Sequence, residues 1–161
     1  MKYLIKVCLL FALAGCSAGV GQIQNVITGK VIGIKDGDTI EVLFEGKPLT
    51  VRLAHIDCPE IKNKQPFGAA AKKMTSSLCF GQTVVLSSDG KFDRYKRLIA
   101  VVVNEHKENI NQALVKAGLA WHFKKYSSDS SYDSLELNAR VNKRGLWIDE
   151  NPTPPWEWRK Q

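Results

Sequence analysis

Three short β-prone runs, separated by turns of only a few residues, constrain this chain more than any other feature. Val26 to Ile34 is rich in β-branched residues, and Asp36-Gly37 signals a turn. From Ile40 the residues alternate, with Ile40, Val42 and Phe44 on one face and Glu41, Leu43 and Glu45 on the other. After a turn at Gly46-Lys47-Pro48, Leu49, Val51 and Leu53 alternate with Thr50, Arg52 and Ala54. Strands joined this closely pair with their sequence neighbours. The result is an antiparallel meander, the opening of a small barrel.

Ile61 to Gln65 is polar and reads as a loop, and Pro66 to Cys79 has helical composition up to a stop at Gly81. Thr83 to Leu86 and Leu98 to Val103 supply two more strands. Asn111 is expected to cap a second helix, with Leu114, Val115 and Ala117 facing inward. Tyr132 to Arg144 reads as a third helix ended by Gly145, and the aromatic, proline-rich segment Pro152 to Trp158 is expected to pack on the body. Five strands with a helix between the third and fourth is the order of an OB-fold. The expected class is therefore α+β, a five-stranded OB-fold β-barrel with three α-helices. That fold recurs in nucleic-acid binders but does not by itself assign a function.

Residues 1–15 stand apart. Lys2 and Lys6 precede the apolar run Val7 to Leu13, which is too short to span a bilayer. Leu13-Ala14-Gly15-Cys16 then has the form of a bacterial lipobox. Residues 1–15 are expected to be a lipoprotein signal peptide, with Cys16 lipidated, 16–25 a short tether and 26–161 the folded domain. Acyl chains at about 0.8 kcal/mol per buried methylene hold such an anchor when more than one is attached. Ser17 after the cysteine is not the aspartate associated with inner-membrane retention, which favours the outer membrane or cell surface. The formal charge of +7 becomes +5 once Lys2 and Lys6 leave, since the removed segment holds no acid. A basic surface attracts polyanions, although many basic proteins bind no nucleic acid. Cys58 and Cys79 remain; an oxidising compartment permits a bridge between them, and two unpaired thiols is the preferred reading of the two, while no Cys/His spacing suggests zinc.

The chemistry lies in the stretches DGDTIEV, VRLAHIDCPE and DRYKRLIAVV. Asp38 and Asp57 each fall at a strand end, and a meander can bring two such ends together. Paired carboxylates suit Ca²⁺, which accepts irregular oxygen shells. Glu60 follows the stiffening Pro59 and is placed to take a proton from water. Arg52 and Arg97 carry guanidinium forks that match phosphate geometry, and Tyr95 could contact a base or a phosphate. Taken singly, each has an ordinary alternative: a tight turn, a solvated carboxylate, a surface arginine, a packed tyrosine. His55, His106 and His122 are read as packing or turn residues.

Taken together, DGDTIEV, VRLAHIDCPE, QPFG, DRYKRLIAVVV, NQALVKAGLAW, RGLW and PPWEWR resemble the staphylococcal (thermonuclease-type) nuclease family in order and spacing, over roughly Thr28 to Arg159. The resemblance implies that Asp38, Asp57 and the backbone carbonyl of Cys58 hold calcium. It also implies that Glu60 is the general base, that Arg52 and Arg97 contact phosphate, and that Tyr95 contacts the nucleotide. Asp36 and Asp93 fall where supporting or turn-forming acids are expected. The implied activity is hydrolysis of DNA and RNA, with little sequence preference and 3′-phosphate products, by a monomer. Cys58 stands where the staphylococcal enzyme has threonine, and Lys96 where the family has glycine. A non-catalytic OB module is the rival class. The five charged positions present here speak against it.

Overall fold

The computed structural model describes residues 25–161. Five strands close a barrel in the order β1-β2-β3-β6-β5: β1 (Asn25–Asp36), β2 (Thr39–Phe44), β3 (Lys47–Leu53), β5 (Thr83–Ser88) and β6 (Leu98–Val103). β1, β2 and β3 form the meander, with Val31 opposite Val42 and Ile40 opposite Val51. β3 then meets β6 in parallel, and β5 returns antiparallel to both β6 and β1. This is the OB arrangement, with α1 (Gly68–Cys79) inserted between the third and fourth barrel strands. The long β1 serves both neighbours because register shifts between Val31 and Gly33 and between Ile34 and Asp36 bend it. Outside the barrel, β4 (Ile56–Asp57) pairs with β7 (Trp121–His122).

The core is built from the strands' inward residues, among them Val31, Ile40, Val42, Val51, Leu53, Leu86, Leu98 and Val102, all nearly inaccessible. α2 (Ile110–Lys116) adds Ile110, Leu114 and Val115, and α3 (Ser130–Val141) adds Tyr132. Leu146 and Trp147 of the 3₁₀ turn Gly145–Ile148 pack with Ala139 as a second small cluster, supported by Trp121 and Phe67.

Three sequence expectations need correction at the helices. Asn109, not Asn111, caps α2: its side chain accepts from the Gln112 amide. Asn111 is fully buried. Its Oδ1 accepts from Val102 N at 3.0 Å, and its Nδ2 donates to Ala54 O and Ala100 O at 2.9 and 3.2 Å. It thereby brackets the helix to the β3–β6 seam. α3 begins at Ser130, capped by Asp129, and ends at Val141 before Gly145. A further four-residue helix, α4 (Pro155–Trp158), forms in the tail, where only packing was expected.

α1 buries Gly68, Ala71, Thr75 and Cys79, a stripe of small residues. Small side chains let the helix backbone come close to what lies beneath it. A Cβ on Gly37 would stand 2.8 Å from Ala71 Cβ and 2.9 Å from Cys58 Cβ; one on Gly68 would stand 2.7 Å from Glu60 O. The helix therefore rests against both loops that carry the candidate carboxylates. Thr75 Oγ1 fixes the first of them, donating to Gly37 O at 2.6 Å.

Candidate functional site

The turn between β1 and β2 delivers Asp38, and β4 delivers Asp57. Asp38 is tied down on three sides. Its Oδ2 accepts from Cys58 N at 2.9 Å, its Oδ1 from Thr39 Oγ1 at 3.0 Å, and its carbonyl from Leu53 N at 2.9 Å. These bonds draw the start of β2 onto the ends of β3 and β4. Asp38 and Asp57 retain only 7% and 1% of their accessible surface.

Arg52, from the middle of this arrangement, holds both acids. Its Nη2 lies 2.6 Å from Asp57 Oδ1 and 3.2 Å from Asp38 Oδ2, so the two carboxylates converge on one nitrogen. Its Nη1 donates to Leu53 O and Ile56 O at 2.7 and 2.8 Å. Burial works against the charge on Arg52, but Asp38 and Asp57 outweigh it and raise its pKa. Burial pushes Asp57 above the ordinary carboxylate range against the pull of Arg52. Asp36, one turn residue away, is pushed up to about 6, chiefly by burial; its bond from Gly37 N opposes this, and Asp38 and Glu60 add to it.

Arg97 approaches from the loop before β6. Asp93 accepts from its Nε at 2.7 Å and from its backbone N at 3.0 Å, while its Nη1 donates to Thr39 Oγ1 at 3.1 Å. One hydroxyl therefore separates Arg97 from Asp38. Burial opposes the charge on Asp93; the backbone and side-chain bonds from Arg97 prevail and lower its pKa. Lys96, where the family has glycine, adopts φ 60°, so lysine does occupy a left-handed position there. Tyr95 stands exposed beside the site, its ring centroid 4.7 Å from the Arg94 guanidinium carbon and 5.3 Å from that of Arg97.

Glu60 sits at the rim with Gln65 behind it. Gln65 Oε1 accepts from Glu60 N at 2.9 Å, and its Nε2 donates to Thr153 O in the tail at 2.8 Å. The tail then contributes a group that sequence reading did not single out. Arg159, just after α4, places Nη2 2.7 Å from Asp57 Oδ2 and donates from Nη1 to Glu60 Oε1. The motif PPWEWR was visible, but nothing local in it indicates that its arginine turns back onto the site.

The structure thus brings together Asp38, Asp57, Cys58, Glu60, Arg52 and Arg97, with Tyr95 alongside. Cys16 lies outside the described residues. Among the described residues no group of three or more His, Cys, Asp or Glu side chains is placed to hold a metal ion. Cys58 and Cys79 are both free and buried. Burial, and next to it the Asp38 charge, pushes the Cys58 thiol well above its usual range. His122 and His55 serve structure: His122 Nδ1 meets Asp133 Oδ1 at 3.0 Å, and Ser127 Oγ lies 2.9 Å from a ring nitrogen of each histidine.

Residues 50–149 match the profile of the family described as Staphylococcal nuclease homologue. The chain belongs to that family. An uncharacterized endonuclease of Haemophilus influenzae is 46% identical to this family member over 135 residues, covering 83% of this chain and 74% of the relative. An uncharacterized endonuclease of Escherichia coli is 42% identical over 133 residues, covering 83% and 85%. A micrococcal nuclease of Shigella flexneri is 36% identical over 166 residues, 94% of each chain. The matched family segment takes in Asp57, Glu60 and both candidate phosphate-binding arginines. It leaves out Asp38 on one side and Arg159 on the other.

Proposed function

We propose that this protein is a calcium-dependent phosphodiesterase that cleaves DNA and RNA with little sequence preference and leaves 3′-phosphates. One observation carries the reading: two buried carboxylates, Asp38 and Asp57, converge on a single point beside Glu60. Family membership and the nuclease names of its relatives support the same chemistry. The donor set fits calcium. Carboxylate and backbone oxygens are hard ligands, and acids that share one guanidinium nitrogen are close enough to share one cation.

Asp38, Asp57 and the Cys58 carbonyl would hold the ion, which when bound would supply Lewis-acid polarisation of a phosphoryl oxygen. Glu60 accepts the proton of the attacking water. Arg52 keeps the acids in place, and with Arg97 it supplies positive charge where the phosphoryl group gains negative charge. Tyr95, exposed and flanked by arginines, stacks on the nucleotide. A groove beside α3, lined by Trp121, Phe123, Lys124, Lys125, Trp156 and Lys160, offers aromatic faces and cations to a single-stranded polyanion.

The proposed setting is an exported lipoprotein anchored through Cys16, acting as a monomer on nucleic acid outside the cytoplasm. No helix among the described residues is long and apolar enough to cross a membrane. The test compares the purified protein with Glu60→Gln on single-stranded DNA, with calcium or with chelator. The expected result is calcium-dependent cleavage to 3′-phosphates that falls by at least ~10²-fold in the variant. A folded, calcium-supplied wild type that leaves DNA and RNA intact would overturn the proposal in favour of a binding module.

A further inference from the structure

We propose that Arg159 is an internal stand-in for the divalent cation. It neutralises Asp57 and Glu60 while the metal is absent, and it must leave them when the metal binds. This rests on the calcium-nuclease reading above. The family match ends at residue 149 and gives Arg159 no role.

Both oxygens of Asp57 are already engaged, Oδ1 by Arg52 and Oδ2 by Arg159. A cation ligated through Asp57 would share these oxygens with two guanidiniums and be repelled by both, so one of them is driven out, and the two candidates differ sharply. The Arg52 side chain is 12% exposed and is fastened to two backbone carbonyls as well as two carboxylates. The Arg159 side chain is 42% exposed, and its ion pairs run only to the side chains of Asp57 and Glu60. Arg159 is the group that yields.

Charge counting points the same way. Asp93, Arg97, Asp38, Arg52, Asp57, Arg159 and Glu60 form a chain, joined through Thr39 between Arg97 and Asp38. Four carboxylates against three guanidiniums leave one negative charge in excess. Adding a divalent ion with Arg159 in place would turn the cluster net positive; withdrawing Arg159 restores neutrality. Its withdrawal also frees Glu60 Oε1 to accept a proton from water.

The exchange needs no release of the tail. Gln65 holds Thr153 O, and the Trp156 ring stacks on Phe123 at 5.2 Å with 5° between planes. The backbone around α4 stays docked while a long, half-exposed side chain rotates. Arg159 is thus a positioning residue that keeps the acids apart from one another's charge until the metal takes over.

The experiment is calcium titration by calorimetry on the full chain, for wild type, Arg159→Gln and Arg159→Lys, with circular dichroism to confirm folding. Calcium should bind Arg159→Gln roughly tenfold more tightly, the scale expected for losing a partly exposed double ion pair. Arg159→Lys, which keeps the charge and loses the fork, should fall between. The calcium concentration for half-maximal cleavage should drop in the same order. Unchanged or weaker calcium binding in both folded variants would overturn the inference, because a residue that merely pins the tail cannot tighten the metal site by its loss. Wild type that binds calcium and cleaves, beside variants that bind no better, defeats this inference alone. Wild type that does neither defeats the nuclease reading with it.

Discussion

Replacing Arg52 with methionine removes one guanidinium from four acceptors at once. Leu53 O and Ile56 O lose their donor, and Asp38 and Asp57 lose the cation between them. Breaking a buried ion pair from one side costs about 3–5 kcal/mol, and each lost carbonyl bond adds about 1 kcal/mol. The expected loss is about 5–7 kcal/mol, comparable with the roughly 5–15 kcal/mol that holds a domain of this size together. Arg52→Lys keeps the charge, but one ammonium cannot span four acceptors, so its cost should be about 2–3 kcal/mol. Urea unfolding followed by circular dichroism, at pH 7 with chelator present, measures both. A methionine variant within about 1 kcal/mol of wild type would show that Arg52 is not the keystone of the acid pair. A lysine variant no better than methionine would show that the fork, and not the charge, carries the whole effect.

Lys96 sits at φ 60°, so Lys96→Gly should relieve left-handed strain and raise stability by about 0.5–1 kcal/mol, read as a higher melting temperature; a lower one would refute the strain. Asp93 has a folded pKa held below its ordinary 3.8 by Arg97, so its contribution is fully present above that value and is lost as pH falls through the lowered one. Asp93→Asn should therefore flatten the acid limb of the stability–pH curve below about pH 4 while weakening the Arg97 tether at neutral pH. Parallel acid limbs in the two proteins would show that the pair contributes nothing.

How much of this was legible in the chain depended on sequence distance. The meander that carries Asp38 and Arg52 follows from local periodicity, but Asp57 sits on β4, a two-residue strand held outside the barrel by β7, and that pairing has no local signal. Arg52 could be placed on the same strand as Val51 and Leu53, but its fourfold engagement depends on where β4 ends. Asn109 and Asn111 are equally good caps by composition. Only the packing of α2 on the barrel seam selects the first and buries the second. The inner face of α1 was obscure because its buried residues are all small, and a search for large apolar side chains passes over Gly68, Ala71, Thr75 and Cys79. Arg159 lies 102 residues from Asp57 and 99 from Glu60. Its position is decided by how the tail docks through Gln65 and Trp156, which no local pattern encodes.

The alternating run of acids and guanidiniums has an evolutionary consequence. Each member shares a partner with the next, so the effect of changing one depends on which of the others are present. Substitutions along the run should be strongly non-additive, with coupling energies of about 0.5–3 kcal/mol between neighbours. A lineage cannot then exchange these residues one at a time through equally fit intermediates. The cluster is inherited or abandoned as a block.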